Sequence, residues 1–253
     1  MASVNELLEF GIIVIDKPTG PTSFSVSEYV REILKIRKTS HFGTLDPAVT
    51  GVLPVALNRA CRLSGFFLKG DKTYVGIMRL HEDVPQEKLE KAVNKHLGAI
   101  KQLPPVRSRV KREERIRVIK EFEMLEREGK DVLFITKVQA GTYIRKLIHD
   151  IGLDIGGANM LELRRTQASI FSEKEIISLY DLEKAVRAFE KGNEFLLRDM
   201  IIPAEEAIKR LLPCIQVKRN ISQILTGKPL MKKDVDKIPD AEYFALFNGE
   251  TFW

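Results

Sequence analysis

Two kinds of apolar run follow one another along this chain, and their order constrains its fold more tightly than any other feature. Short β-branched runs read as strands: Ile12–Ile15 within "GIIVIDKP", stopped by Pro18, then "GVLPVAL" and "KTYVGIMRL" from Lys72 to Leu80. "RIRVIKEFEML" and "DVLFITKVQA" form a pair across "EREGK", a predicted hairpin, and "LELRRTQASIF" is a further strand. Between them lie helical periods. Val26, Val30, Ile33 and Leu34 share one face, with Thr22 or Ser23 as the cap. Pro85 opens a helix carrying Leu89, Ala92, Val93 and Leu97, with Gly98 as its stop. "GTYIRKLIHDIG" is predicted as a helix closed by Gly152, "SLYDLEKAVRAFEKG" as one boxed by Ser178 and Asp181, and "PAEEAIKRLL" as a last one. Strand blocks interrupted by helices, without strict strand–helix alternation, predict an α+β fold: a central mixed, mainly antiparallel sheet flanked by helices.

Pro213 marks a boundary, dividing residues 1–213 from residues 214–253. The last forty or so residues are too few to bury a core unaided, and they close on the apolar run "FNGETFW". Of the whole 253-residue chain, 44% is hydrophobic, enough for a real core, but no apolar run approaches the ~20 residues needed to span a bilayer. The opening "MASVNELLEF" has no basic stretch and carries two glutamates, unlike a secretory signal. Cys61 and Cys214 stand far apart, outside any Cys/His cluster, which argues against a metal site or a disulfide framework and for a reducing, cytoplasmic setting. The net charge is +6, and between Lys101 and Lys120 eight Lys/Arg face only two Glu. Such a segment is either a solvated face or a phosphate-contacting surface.

"HFGTLDPAVTG", His41 to Gly51, sets one carboxylate, Asp46, among turn formers, and loops on rigid scaffolds are where chemistry tends to sit. Taken alone, Asp46 is as easily a turn former or a cap. Its company alters that reading. "DKPTGPTS" (Asp16–Ser23), "HFGTLDPAVTGVLPV" (His41–Val55), "KTYVG" (Lys72–Gly76), "LPPVRSRVKR" (Leu103–Arg112), "GTYIR" (Gly141–Arg145) and "LELRRTQ" (Leu161–Gln167) occur in this order. Together they resemble the TruB-type pseudouridine synthases over roughly Gly11 to Pro213. "YVGIMRLHEDV" lacks the acidic segment of the bacterial members, and "VKREERIRVIKEFEML" runs on without their insertion. Both features resemble the archaeal and eukaryotic, dyskerin-like branch. Residues 214–253 resemble the opening of that branch's PUA domain, a small RNA-binding barrel. A half barrel leaves strand edges and apolar side chains uncovered, so this tail is expected either to pack back on the larger part or to continue past Trp253.

The resemblance implies the pseudouridine synthase fold and isomerisation of uridine in structured rRNA or tRNA, with no metal or organic cofactor. It implies Asp46 as the carboxylate beside the anomeric carbon, bonding to it or abstracting a ribose proton, ionised within a water-poor pocket. Arg145 matches the arginine that pairs with that carboxylate, and Tyr74 the tyrosine that stacks on the base. Ile144 and Leu163 wall the pocket, while Lys17 and Pro18 match a motif supporting the loop. His41 matches the histidine that fills the gap left by the displaced base. Arg107, Arg109, Lys111 and Arg112 are the expected RNA-binding cations. The implied partners are a guide RNA, the substrate RNA and small H/ACA core proteins, with no membrane. A stand-alone tRNA enzyme and a non-catalytic RNA-binding scaffold are the alternatives.

Overall fold

The computed structural model of the protein describes residues 2–104, 111–235, 238–249 and 251–252. Helix α1 (Val4–Glu9) leads into strand β1 (Gly11–Lys17), helix α2 (Ser23–Ile33), and strands β2 (Thr39–His41) and β3 (Thr50–Leu57). A 3-10 turn, Asn58–Leu63, runs into α3 (Ser64–Leu68), then β4 (Lys72–Leu80), α4 (Gln86–Lys95) and β5 (Gly98–Gln102). The hairpin of β6 (Arg115–Glu128) and β7 (Asp131–Val138) precedes α5 (Ile144–Leu153), β8 (Ala158–Ala168) and β9 (Phe171–Ser172). Next come α6 (Leu179–Glu190), α7 (Phe195–Met200), β10 (Ile202–Pro203) and α8 (Ala204–Leu211). The last segment holds β11 (Cys214–Gln216), α9 (Ile221–Leu225), β12 (Ala245–Asn248) and β13 (Thr251–Phe252).

One ten-stranded sheet carries the fold, in the order β10-β1-β3-β8-β4-β7-β6-β5, with β2 on β3 and β9 on β8. Among the described residues its single parallel pair of strands is β3 with β8, Thr50 beside Arg164 and Gly51 beside Arg165. That contact is the seam between two halves. On one side, β1 and β3 are covered on both faces. Ile13, Ile15, Leu53 and Val55 pack under α1, α2, α6 and α7, while Ile12, Val14, Val52 and Ala56 pack toward α3 and α8. Burial on both faces explains why these strands read as unbroken apolar runs. On the other side, alternate residues of β4 and β7 are buried under α4 and α5, through Met78, Phe134, Leu89, Val93, Leu147 and Ile151.

The predicted α+β architecture is the observed one, with three local differences. Strand β5 lies in a stretch that carries no strand signal of its own; it forms by pairing with β6, Gly98 to Ile119 through Gln102 to Arg115. Helix α5 continues past Gly152 to Leu153. Gly152 is not a stop but a close approach, because a Cβ there would fall 2.3 Å from the backbone nitrogen of Ala158. The third difference is in the tail, where β12 runs parallel to β11 and sends Ala245 and the wholly buried Phe247 into the cluster of Ile12, Val14 and Ile208. Phe252 stacks on Phe10 with ring centroids 6.1 Å apart, and the Lys209 ammonium lies 5.3 Å from the Phe247 ring centre. These residues pack back on the larger part rather than leaving an uncovered half barrel.

Candidate active site

The segment His41–Gly51 crosses the seam, and buried cations hold it there. Lys17, at the end of β1, has no exposed surface, and its ammonium donates to three carbonyls: Val49 at 2.9 Å, Pro18 at 2.9 Å and Pro47 at 3.1 Å. Three acceptors are what an ammonium with three protons needs to be buried. Burial lowers the Lys17 pKa, and the nearby Asp46 charge opposes that shift. The Gly20 amide also donates to Pro47 O. From α2, the buried Ser23 hydroxyl accepts from Leu45 N at 2.8 Å and donates to Leu45 O at 3.0 Å. Thr22, not Ser23, caps α2. With Leu45 and Val49 anchored in the core, the turn closed by Val49 N to Asp46 O presents Asp46 outward.

Arg165 supports the same segment from β8. It is 1% exposed, and its guanidinium donates to Val52 O at 2.8 Å and to Gly43 O at 3.0 Å. Both ends of the loop need glycine over it. Gly51 has φ +99° and a Cβ there would lie 2.2 Å from Arg165 O; Gly43 has φ +111° with the guanidinium 3.3 Å away. The loop's geometry is therefore fixed by backbone contacts as much as by side chains.

Tyr74 arrives at this place through an irregularity. A register shift between Thr73 and Tyr74 sets Tyr74 opposite Arg165 instead of Thr166, and Gly76 opposite Leu163. Bulges re-aim side chains in this way. Burial lowers the Arg165 pKa, and the nearby Tyr74 opposes that shift. Lys72, nearly buried two residues earlier, donates to Leu68 O and Gly70 O at 2.7 and 2.6 Å. Burial, reinforced by Arg165, lowers its pKa to about 8.

Arg145, the second residue of α5, closes the arrangement: its Nη2 lies 2.7 Å from Asp46 Oδ2. Ile144 beside it packs with Tyr74, Leu163, Leu45 and Val49 in one buried cluster. The side chains of Arg145 and Asp46 are 62% and 49% exposed. Among the described residues, the expected water-poor pocket is thus not closed over the pair, which sits at an open mouth. An ion pair this open contributes only ~0–1 kcal/mol to stability, so the pair is not there to hold the fold.

The other expected residues divide. His41 lies half-buried on β2; burial and Arg165 lower its pKa, and its buried Nδ1 has no hydrogen-bond partner among the described residues. Pro18 is exposed, and Lys17 braces the loop without lining the opening. Lys111 and Arg112 are exposed, with Lys111 paired to Glu113. Arg107 and Arg109 lie outside the described residues. Ser23, Lys72 and Arg165 were not anticipated; the one available signal was strand alternation, which puts Arg165 on the face of Leu163. Among the described residues no cluster of His, Cys, Asp or Glu could hold a metal ion, and no helix is long and apolar enough to cross a membrane.

Comparison with known proteins converges on one family. The profile of the TruB family pseudouridylate synthase N-terminal domain matches residues 31–87, that of the tRNA pseudouridylate synthase B C-terminal domain residues 145–209, and that of the Pus10 C-terminal region residues 67–170. The probable tRNA pseudouridine synthase B of Methanothermobacter thermautotrophicus is 40% identical over 92% of this chain and 72% of its own length. That of Methanocaldococcus jannaschii is 43% identical over 98% and 73%. Among solved structures, a chain of a Cbf5-Nop10-Gar1 complex superposes with a TM-score of 0.90 at 40% identity, covering 98% of this chain and 78% of that one. A chain of an H/ACA RNP bound to a substrate RNA containing 2'-deoxyuridine gives 0.88 at 38% identity, with the same coverage.

Proposed function

The chain belongs to the TruB family of pseudouridylate synthases, and from that premise we propose that it isomerises specific uridines of structured RNA as the catalytic subunit of a guide-RNA particle, with Asp46 at the reacting centre. The observation that carries the site assignment is the 2.7 Å contact between Asp46 and Arg145, which joins the loop after β2 to the start of α5, next to the buried cluster that holds Tyr74, Ile144 and Leu163. In the reaction the bond between N1 and the anomeric carbon breaks, the base turns, and C5 bonds to that carbon. C5 then gives up its proton and N1 ends protonated, so the product is an isomer. Asp46 acts on the sugar, either bonding to the anomeric carbon or taking a ribose proton. Arg145 orients the carboxylate. Tyr74 stacks on the base and offers its hydroxyl for the C5 proton, and Leu163 and Ile144 bound the base on its apolar sides. His41 fills the stack behind the displaced nucleotide, and Lys111 and Arg112, with Arg107 and Arg109, contact the backbone.

The guide-RNA role is supported by relatives solved with Nop10, Gar1 and substrate RNA. RNA and small core proteins of that kind are the proposed partners, residues 214–253 are proposed as an RNA-binding appendage, and the proposed setting is cytoplasmic. A second reading, stand-alone modification of tRNA, is favoured by the names of the sequence relatives. Both readings are tested by tritium release from RNA carrying uridine labelled at C5, with and without guide RNA and the small proteins. Release only in their presence supports the guided particle, release from tRNA alone the second reading, and no release in any arm overturns the enzyme.

A further inference from the structure

We propose that Gln102 is a positioning residue for Arg145, acting through the backbone of Tyr143. Gln102 ends strand β5 and is 2% exposed, among the few buried polar side chains described. Its amide meets both backbone groups of one residue: Nε2 donates to Tyr143 O at 3.2 Å, and Oε1 accepts from Tyr143 N at 3.0 Å. An amide carries a donor and an acceptor side by side, so it docks on a residue as a neighbouring strand would. Tyr143 is the N-cap of α5, and that helix begins without any side-chain cap of its own. Arg145 is the second residue after it.

The Arg145 side chain is 62% exposed, so little packing against the described residues fixes it beyond its contact with Asp46. Where its guanidinium stands is therefore set by the backbone of the first helical turn. The loop leading into that turn is tied down at its other end too. Gln139 N donates to Val118 O at 2.8 Å, Val118 N donates to the Gln139 side chain at 3.2 Å, and the Thr142 hydroxyl donates to Gln139 O at 2.7 Å. Gln139 holds the loop to β6, and Gln102 holds its exit, next to Arg145, to β5. Strand β5, which has no sequence signal, thereby brings an amide to the start of α5. A buried amide with both partners is also what any satisfied core glutamine looks like. The two roles differ in whether its loss reaches Arg145.

This inference rests on the reading that Arg145 orients Asp46 for catalysis, so the experiment separates the two. Gln102→Met keeps the bulk and removes both hydrogen bonds; Gln102→Glu keeps the acceptor for Tyr143 N and loses the donor, and serves if the first variant does not fold. Tritium release is measured for both variants, for Arg145→Lys and for the double variants, on the RNA and with the partners the wild type requires, well below each unfolding midpoint. The expected result for Gln102→Met is a kcat loss on the order of ten- to a hundredfold, the scale of a misplaced reacting group, with KM within about twofold. Gln102→Glu loses less. In the Arg145→Lys background Gln102→Met should lower kcat by no more than about threefold, since residues acting as a unit are not additive. A wild-type kcat in the Gln102 variants, or an equal loss with and without Arg145, overturns this proposal. A wild-type kcat in Arg145→Lys overturns the site reading and this proposal together.

Discussion

At the scale of single residues the site divides into groups proposed to act and groups that hold. Asp46 and Arg145 are half open to solvent and meet each other at 2.7 Å, whereas Lys17, Arg165 and Lys72 are buried and spend their protons on carbonyls of the loop, of β3 and of the turn before β4. Asp46→Asn should abolish tritium release, because the amide can serve neither as nucleophile nor as base. Denaturant unfolding should change by no more than about 1 kcal/mol, the worth of an exposed pair. Arg145→Lys should lose activity by at least ~10²-fold despite its charge, since an ammonium does not reproduce the planar fork. Lys72 supplies a pH test. Its native pKa of about 8 lies below the ordinary lysine value, so between the two the unfolded chain binds more protons and stability rises with pH. The stability of wild type relative to Lys72→Met should therefore increase when unfolding is measured at pH 10 rather than at pH 7.5. A constant difference would mean that Lys72 is not desolvated.

Among elements, the pairing of β4 with β8 has the largest consequence for the site. Its register shift brings Tyr74 against Arg165, and Gly76, two residues on, leaves room for the Leu163 side chain. A Cβ on Gly76 would stand 2.8 Å from the Phe134 ring, 2.9 Å from Glu162 O and 3.0 Å from a Leu163 methyl. Gly76→Ala should destabilise by about 1–3 kcal/mol, the usual cost of overpacking. It should also reduce kcat by pushing Leu163 toward the base; wild-type kinetics in the folded variant would show that Leu163 does not line the pocket. Lys17 shows the parallel case for β1. Lys17→Met would remove the ammonium from three carbonyls, leaving Pro47 O with only the Gly20 amide, and should lower both stability and turnover, by about 1–3 kcal/mol in unfolding.

Over the whole molecule, the tail has a small cluster of its own around Ile215, Val217 and Val235 and is joined to the core of the larger part through Ala245 and Phe247. Phe247 is wholly buried among residues of β1, β3 and α8. Phe247→Ala should cost ~3–5 kcal/mol, as for other buried phenylalanines. The loss should appear in one unfolding transition shared by residues 1–213, followed by calorimetry and by circular dichroism together. Two transitions, with the larger one unchanged, would mean that the tail folds by itself. RNA affinity offers a measure at the same scale, since contacts made by Lys111, Arg112 and their neighbours release counterions and should weaken steeply with salt.

The strands and helices that bury one regular face were legible in the sequence, because a period of two or of 3.6 is a local property. Asp46, Tyr74 and Arg145 stand in ordered motifs, and the structure brings Asp46 and Arg145 into contact, although each alone reads as an ordinary turn, core or surface residue. What the sequence could not supply were facts about partners distant in the chain. Gly152 reads as a helix stop until Ala158 is seen against it. Strand β5 has no pattern of its own and exists because β6 pairs with it. Arg165, charged and in a strand, reads as exposed until Val52 and Gly43 turn their carbonyls to it. Gln102 is an ordinary polar residue until Tyr143 is found against it. Burying a charge or an amide is permitted only where backbone groups from elsewhere in the chain replace water, and where those groups stand is a property of the assembled sheet. The open state of the Asp46–Arg145 pair has the same origin: the motifs named its two members, and packing left their mouth uncovered.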